Sequence, residues 1–158
     1  MLFNFSCSDL NFDVVVVGGG TSGVASAIQS SRLGSKTLLI EESNWLGGML
    51  TSAGVSAVDG NYKMPSGFLK EFRDSLVSHY GHLDSLKTGW VSNFMFEPSV
   101  GNRILKDIAN QEKNLTILFG STVSEVVKNS NFSIKIKECP SIYKSKILID
   151  ATELGDLI

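Results

Sequence analysis

The chain has 158 residues, with 14 basic against 16 acidic side chains and a formal net charge of −2. This length predicts one domain with a single sizeable core. The near-neutral charge, with no two basic residues adjacent, argues against nucleic-acid binding. No apolar run approaches the ~18 residues of a membrane span. Cys7 and Cys139 are too far apart for a CxxC or metal-binding motif, so we expect no metal site and a reducing, cytoplasmic location.

The N-terminal part of the chain has the pattern of a strand, a glycine-rich turn and a helix. Residues 1–11 lack the basic and apolar regions of a signal peptide, so we expect a loose leader there and one domain over residues 12–158. The β-branched run Phe12–Val17 predicts a strand buried on both faces, as in a parallel sheet. The helix after the turn should end at Gly34, before a second strand over residues 37–40. The apolar residues expected on one face of this helix are Val24, Ala27, Ile28 and Leu33.

The rest of the chain predicts two further helices and several strands. One helix should follow Pro65-Ser66, and Ser99 is expected to cap another. Residues 115–119 predict a third strand, residues 122–146 a small antiparallel meander, and residues 147–150 a last buried strand. Together these elements indicate an α/β fold. The apolar positions that predict the two helices are Phe68, Phe72, Leu76 and Tyr80 in the first, and Val100, Ile104, Leu105 and Ile108 in the second.

The motif Gly18-x-Gly20-x-x-Gly23 lies between the first strand and the first helix. In this position glycines allow a sharp turn, a close approach of the backbone to a pyrophosphate, and tight packing of the helix on the sheet. The helix N-terminus adds unpaired N–H groups and the positive end of a dipole, which favour phosphates. The motif therefore predicts a dinucleotide-binding site.

An acidic residue follows the second strand at close to the ~20 residues expected for a ribose-binding carboxylate. Glu41 comes directly after the apolar run, so we favour it over Glu42 for this role. A carboxylate at this position accepts hydrogen bonds from ribose hydroxyls and repels a 2′-phosphate. The site is therefore not expected to take NADP.

Two further segments give the sequence a family resemblance. They are GGMLTS at residues 47–52 and DATELGD at residues 150–156, and a long insertion separates the second strand from the third. With the glycine motif and Glu41, in this order, the sequence resembles FAD-dependent oxidoreductases with a glutathione-reductase-type FAD domain, in the branch that carries these segments. The resemblance covers residues 12–158. It implies a Rossmann-like FAD/NAD(P)-binding domain with a parallel central sheet and an antiparallel meander.

The resemblance also implies roles for individual residues around FAD. The glycine loop surrounds the pyrophosphate, Glu41 holds the adenosine ribose, and Val123 meets the adenine through its main chain. Glu153 stands where the wider family has glycine, and its role is open between a surface acid and a functional group. The residues that the resemblance places at the cofactor are Gly18, Gly20, Thr21, Ser22, Gly23, Glu41, Gly47, Gly48, Met49, Val123, Ala151 and Thr152.

The activity implied is hydride transfer from an unknown small-molecule substrate to the flavin. Members of this family continue beyond the last residue of this sequence with a substrate domain and a second FAD segment. We therefore expect an N-terminal portion that is not catalytically competent alone, and that needs a complementary C-terminal chain or a second copy of itself. No catalytic residue is assigned. Residues 47–60 contain no cysteine, so disulfide reductase chemistry is not expected.

Two alternatives remain open. The chain could be a non-catalytic module that holds ADP-containing ligands or a partner chain. It could also be a compact NAD-binding dehydrogenase, although the Gly-Gly turn and the long insertion argue against this.

Three residues, Tyr62, Lys63 and Arg73, lie in the segment that could line a substrate pocket. His79 and His82 are interpreted as solvated residues at a helix end rather than as metal ligands.

Overall fold

The computed structural model describes residues 10–60, 63–87 and 92–157. Its strands form one six-stranded sheet in the order β3-β2-β1-β6-β5-β4 when they are numbered along the chain. The strands are β1 Leu10–Val17, β2 Thr37–Ile40, β3 Leu115–Leu118, β4 Val123–Lys128, β5 Phe132–Ile136 and β6 Cys139–Asp150.

The direction of strand pairing divides the sheet into two parts. β1 pairs in parallel with β2 and β6, and β2 pairs in parallel with β3. β5 pairs antiparallel with both β4 and β6. The predicted fold class, a Rossmann-like domain with a parallel central sheet and a small antiparallel meander, is confirmed.

β6 differs from the prediction because one 12-residue strand replaces the end of the meander and the separate last strand. One edge of β6 pairs with β1 and the other with β5, so Ser145 lies opposite both Phe12 and Phe132. The length of β6 also gives Leu10 a partner in Tyr143, so β1 begins before the expected start at Phe12. Residues 10 and 11, predicted as the end of the leader, therefore belong to β1. The rest of the predicted leader, residues 1–9, lies outside the described residues.

Three α-helices cover one face of the sheet: α1 Thr21–Arg32, α2 Gly67–Tyr80 and α3 Pro98–Asn110. The predicted helix after Pro65-Ser66 is confirmed as α2. Ser99 was wrongly expected to be the cap of α3, because Pro98 already occupies the first turn and Glu97 is the N-cap. Leu33 was wrongly expected on the buried face of α1, since it follows the last helical residue and is 78% exposed.

The core has two layers, one on each face of the sheet. On the helical face, Val14 and Val16 of β1 pack with Ile28 and Leu105. On the other face, Val15 and Val17 pack with residues of β2 and of the meander. The four valines are therefore buried from both sides, which confirms the strand predicted from their run. In the described part of the chain, no helix is long and apolar enough to span a membrane.

Candidate functional site

The carboxyl ends of the parallel strands meet at one edge of the sheet and bring three loops together. The backbone ladder continues one residue beyond each strand: Gly18 N–H donates to the Ile40 carbonyl at 2.9 Å, and Ala151 N–H donates to the Val17 carbonyl at 2.8 Å. The glycine loop, the loop after β2 and the loop after β6 therefore start side by side. Parallel α/β sheets bind ligands at this edge.

Two glycines of the loop are required by packing against neighbouring backbone. Gly18 has a φ of +98°, and a Cβ atom there would lie 2.3 Å from the carbonyl oxygen of Ala151. A Cβ atom at Gly23 would lie 1.9 Å from the carbonyl oxygen of Gly18. Because neither residue has a side chain, α1 and the end of β6 can approach the loop closely. This close approach matches the predicted reason for glycine at both positions.

Gly20 differs from these two glycines, because the space beside it is open. A Cβ atom at Gly20 would meet a single atom within 4 Å, a carboxylate oxygen of Glu153 at 3.5 Å. Gly20 is also the N-cap of α1, with no side-chain cap and no acidic residue in the first helical turn. The amides of that turn have no acceptor within the helix. The loop is therefore a cradle that presents N–H groups and the positive end of a helix dipole to an anion.

Glu41 is held against the glycine loop by hydrogen bonds to both of its carboxylate oxygens. One oxygen accepts from the Gly19 amide at 2.6 Å, and the other from the amide and hydroxyl of Ser43 at 2.8 and 2.5 Å. The neighbouring Glu42 is exposed. The structure thus brings Glu41 to the position that a ribose-binding acid needs, while its contact with a ribose stays a prediction.

The Gly-Gly segment packs directly on the glycine loop. The Gly47 amide donates to the Gly19 carbonyl at 2.8 Å, and the Thr21 hydroxyl donates to the Gly47 carbonyl at 2.8 Å. Gly48 faces Gly20, since a Cβ atom at Gly48 would lie 3.0 Å from the Gly20 Cα. The two glycine-rich segments therefore form one continuous wall, as expected if both follow the same ligand.

A cavity of about 470 Å³ opens beside this wall. It runs along the carboxyl ends of β1, β2 and β6 to the start of β4, and its volume is in the range of pockets that hold small ligands. Thr21, Gly23 and Gly47 stay outside its lining in packing positions, and Ser22 and Met49 are exposed away from it. The predicted site residues that line it are Gly18, Gly20, Glu41, Gly48, Val123, Ala151 and Thr152.

The cavity also has lining residues that were not among the predicted site residues, including Glu42 and Glu153, which the sequence analysis had considered. Several are sequence neighbours of Glu41, Gly48 or Val123, so the prediction could have been extended to include them. Lys137 had no such signal. It reaches the cavity because the β4–β5 pairing brings its amide within 2.9 Å of the Thr122 carbonyl. The additional lining residues are Val17, Gly19, Ile40, Glu42, Ser43, Trp45, Ser52, Ser121, Thr122, Lys137, Glu153, Leu154, Asp156 and Leu157.

The end of β6 is fixed by the carboxylate of Asp150. One of its oxygens accepts from the amide and hydroxyl of Thr152 at 3.0 and 2.7 Å, and the other from the Leu157 amide at 3.1 Å. Burial raises the pKa of Asp150, but these hydrogen bonds outweigh burial and leave the pKa below its ordinary value. The DATELGD segment is thereby folded into a tight turn beside the glycine loop.

The other candidate residues that the structure describes are absent from the lining of the cavity. The His82 ring accepts from the Asp84 amide at 3.1 Å and caps a short 3₁₀ turn, and His79 contacts Arg103. Arg73 donates to the Met64 carbonyl at 3.0 Å. Tyr62 lies outside the described residues. Within residues 10–60, 63–87 and 92–157, no three His, Cys, Asp or Glu side chains cluster as metal ligands would.

Two curated proteins are similar to this chain in sequence. The sequence is 30% identical over 149 residues to leghemoglobin reductase of Vigna unguiculata, covering 93% of this chain and 28% of that protein. It is 28% identical over 152 residues to the tRNA uridine 5-carboxymethylaminomethyl modification enzyme MnmG of Buchnera aphidicola, covering 87% of this chain and 23% of the relative. The chain thus spans about a quarter of the length of these curated relatives.

Solved structures show the same fold at low sequence identity. Cyclohexanone monooxygenase from Rhodococcus sp. Phi1, solved with NADP⁺, has a TM-score of 0.60 at 15% identity, covering 91% of this chain and 26% of that one. The bacillithiol disulfide reductase Bdr of Staphylococcus aureus has a TM-score of 0.57 at 18% identity, covering 90% and 38%. A family profile described as FAD dependent oxidoreductase matches residues 13–158. This match confirms the resemblance, and the chain belongs to the family of FAD dependent oxidoreductases.

Proposed function

We propose that residues 12–158 bind the ADP half of FAD in the cavity at the carboxyl ends of β1, β2 and β6. The observation that carries this proposal is the open cradle at Gly20. It is the one position in the Gly18-x-Gly20-x-x-Gly23 motif where an added Cβ would point into nearly free space, and this space is part of the cavity. The family to which the chain belongs uses FAD as its cofactor.

The residues around the cradle fit the parts of this cofactor. The amides of the first turn of α1 suit the pyrophosphate, because they have no acceptor within the helix and lie at the positive end of its dipole. The carboxylate of Glu41 suits the hydroxyls of the adenosine ribose. The backbone of Val123 lies at the far end of the cavity, where the adenine would be held. Gly47, Gly48 and Met49, together with Ala151 and Thr152, would flank the remainder of the cofactor.

We propose further that the complete protein is an oxidoreductase that takes a hydride from a small-molecule substrate. FAD supplies the two-electron redox chemistry when bound, while residues of this chain bind and orient its ADP half. The domain formed by residues 12–158 would be the N-terminal portion of the FAD-binding domain. The second FAD segment and the substrate domain would come from further sequence, a complementary chain or a second copy. The family match supports the oxidoreductase activity, and the small share of its relatives' length that the chain covers supports its being a portion of a larger enzyme. The proposal includes a cytoplasmic location, which rests on the wide spacing of Cys7 and Cys139.

The proposal is tested by calorimetric titration of the chain with FAD, ADP and NAD in parallel. We expect FAD and ADP to bind within roughly one order of magnitude of each other, because the shared ADP half makes the contacts. A folded chain that binds none of the three ligands would contradict the proposal. Tight binding of NAD without binding of FAD would instead favour the compact dehydrogenase.

A further inference from the structure

The side chain of Glu153 reaches over the glycine-rich wall of the cavity. One of its carboxylate oxygens lies 2.9 Å from where a Cβ of Gly48 would be and 3.5 Å from where a Cβ of Gly20 would be. Among the described residues, and leaving aside the chain neighbours of Gly20, no other atom lies within 4 Å of that Cβ position. The carboxylate therefore lies at the cradle that we assign to the pyrophosphate.

This carboxylate is held less firmly than the other acids near the site. Glu41 and Asp150 each accept three hydrogen bonds. No hydrogen bond or ion pair joins the Glu153 side chain to any residue in the described ranges, and the residue is exposed. Glu153 can therefore change its rotamer without breaking a contact that the fold uses. Its charge acts on whatever occupies the cradle.

The lining of the cavity carries more acidic than basic side chains. Among the described residues, its lining includes four carboxylates, those of Glu41, Glu42, Glu153 and Asp156, and one amine, that of Lys137. The hydrogen bonds that Glu41 accepts offset part of its negative charge. No hydrogen bond from a described residue offsets the charge that Glu153 would place beside the phosphates. Each further negative charge on a ligand phosphate is therefore disfavoured at this point.

We propose that Glu153 is a specificity-determining residue that selects a pyrophosphate diester over a terminal phosphate. The inference rests on the proposed function. The pyrophosphate of FAD is esterified at both ends, whereas the terminal phosphate of ADP has a second ionisation near pH ~6 and carries about one more negative charge at neutral pH. Glu153 repels that additional charge at short range. Glu153 thereby weakens the binding of a free nucleoside diphosphate more than it weakens the binding of FAD.

The test compares the affinities of FAD and ADP for the wild-type chain and for Glu153→Gln at low salt. The substitution keeps the size of the side chain and removes its charge. We expect ADP affinity to rise about threefold to tenfold and FAD affinity to rise less, so that the ratio of the two affinities shifts toward ADP. The shift should shrink at ~1 M salt, where exposed charges are screened. Glu153→Ala should give the same shift, which excludes a new hydrogen bond from the Gln amide as its cause.

Asp107→Asn is the matched control, since it removes one exposed negative charge from α3, outside the lining of the cavity. It should leave the affinity ratio unchanged. An unchanged ratio in both Glu153 variants would overturn the inference, and so would an equal shift in Asp107→Asn. A loss of affinity for both ligands in the Glu153 variants would overturn it too, because Glu153 would then be a favourable contact. Absence of FAD and ADP binding to the wild-type chain is a different result, which refutes the proposed function itself.

Discussion

Gly20 and Gly23 belong to the same loop but exclude a side chain for different physical reasons. At Gly23 an added Cβ would overlap the Gly18 carbonyl, so glycine there serves the fold. At Gly20 the backbone has φ −62° and ψ 178°, which any residue can adopt, and the neighbouring space is open. In the proposed function, glycine at this position leaves room for the ligand. Substitutions at the two positions should therefore separate binding from stability.

Gly20→Val is expected to abolish ADP binding while the chain stays folded. The branched side chain would fill the cradle and exclude a pyrophosphate, but its Cβ would make no close contact with the described residues, since a Glu153 carboxylate oxygen lies at 3.5 Å. The loss of unfolding free energy should stay within about 1 kcal/mol, the scale of a poorer N-cap residue. Calorimetry and urea denaturation on the same sample measure both effects. Retained ADP affinity in a folded variant would refute the assignment of the cradle.

Gly23→Ala should show the opposite pattern. Its Cβ would lie 1.9 Å from a backbone oxygen, so the start of α1 must shift. We expect a loss of about 1–3 kcal/mol in unfolding free energy, as for other overpacked positions. Urea denaturation measures it, and wild-type stability would show that α1 packs less closely on the loop than the structure has it.

Glu41→Ala is expected to weaken ADP binding by about 1–3 kcal/mol without abolishing it. The substitution removes a charged acceptor for the ribose hydroxyls and also releases the Gly19 amide. Glu42→Ala is the comparison, because Glu42 is exposed and makes no hydrogen bond to a described residue. Calorimetric titration should give the larger loss for Glu41. A larger loss for Glu42 would reverse the choice made from the sequence.

At the scale of elements, the Gly-Gly segment depends on the first turn of α1. The Thr21 hydroxyl donates to the Gly47 carbonyl, and Gly47 donates to Gly19. Thr21→Val removes one donor with little change in shape and should lower the unfolding free energy by about 1 kcal/mol. Thr21→Ser keeps the donor and should stay closer to the wild type. Urea denaturation of the three proteins tests this order, and equal stability of Thr21→Val and wild type would contradict it.

Arg32 connects α1 to two elements that are distant in sequence. Its guanidinium forms a bidentate ion pair with Glu71 of α2, at 2.7 and 2.8 Å, and a third hydrogen bond to Glu112 at 2.7 Å. The hydrogen bond from Arg32 holds the pKa of Glu71 below its ordinary value of 4.5. The stability from this pair is therefore present above about pH 4.5 and is lost as the pH falls through the lower pKa of the folded state.

Arg32→Met should lower the unfolding free energy at pH 7 by no more than about 1 kcal/mol, since these side chains are about a third exposed and solvent screens them. The difference from wild type should be smaller at pH 3, which lies below the ordinary carboxyl pKa of 4.5 at which this contribution begins to be lost. Urea denaturation at the two pH values measures both differences. An equal difference at pH 7 and pH 3 would show that Arg32 stabilises the chain by packing rather than by charge.

At the scale of the whole molecule, local sequence patterns predicted the part of the site formed by the first two strands. Pairing between strands that are distant in sequence determined the rest. The run of valines, the glycine motif and Glu41 are contiguous signals, and the structure brings them together as expected. The single long β6 was not predicted, because Lys144 and Lys146 interrupt its apolar pattern while its backbone pairs on both edges. Lys137 was missed as a cavity residue and the role of Glu153 was left open, since their positions depend on strand pairing and on a turn, which leave no periodic pattern in the sequence.

The central claim is that ADP binds at the glycine loop, and amide chemical-shift mapping of the isotopically labelled chain on addition of ADP tests it most directly. We predict the largest shifts at residues 18–23 and at Val123, with little change at the hairpin turn around Asn129–Asn131. Shifts confined to a groove between α2 and α3, lined by His79 and Arg103, would contradict the claim. So would an unperturbed glycine loop at saturating ADP.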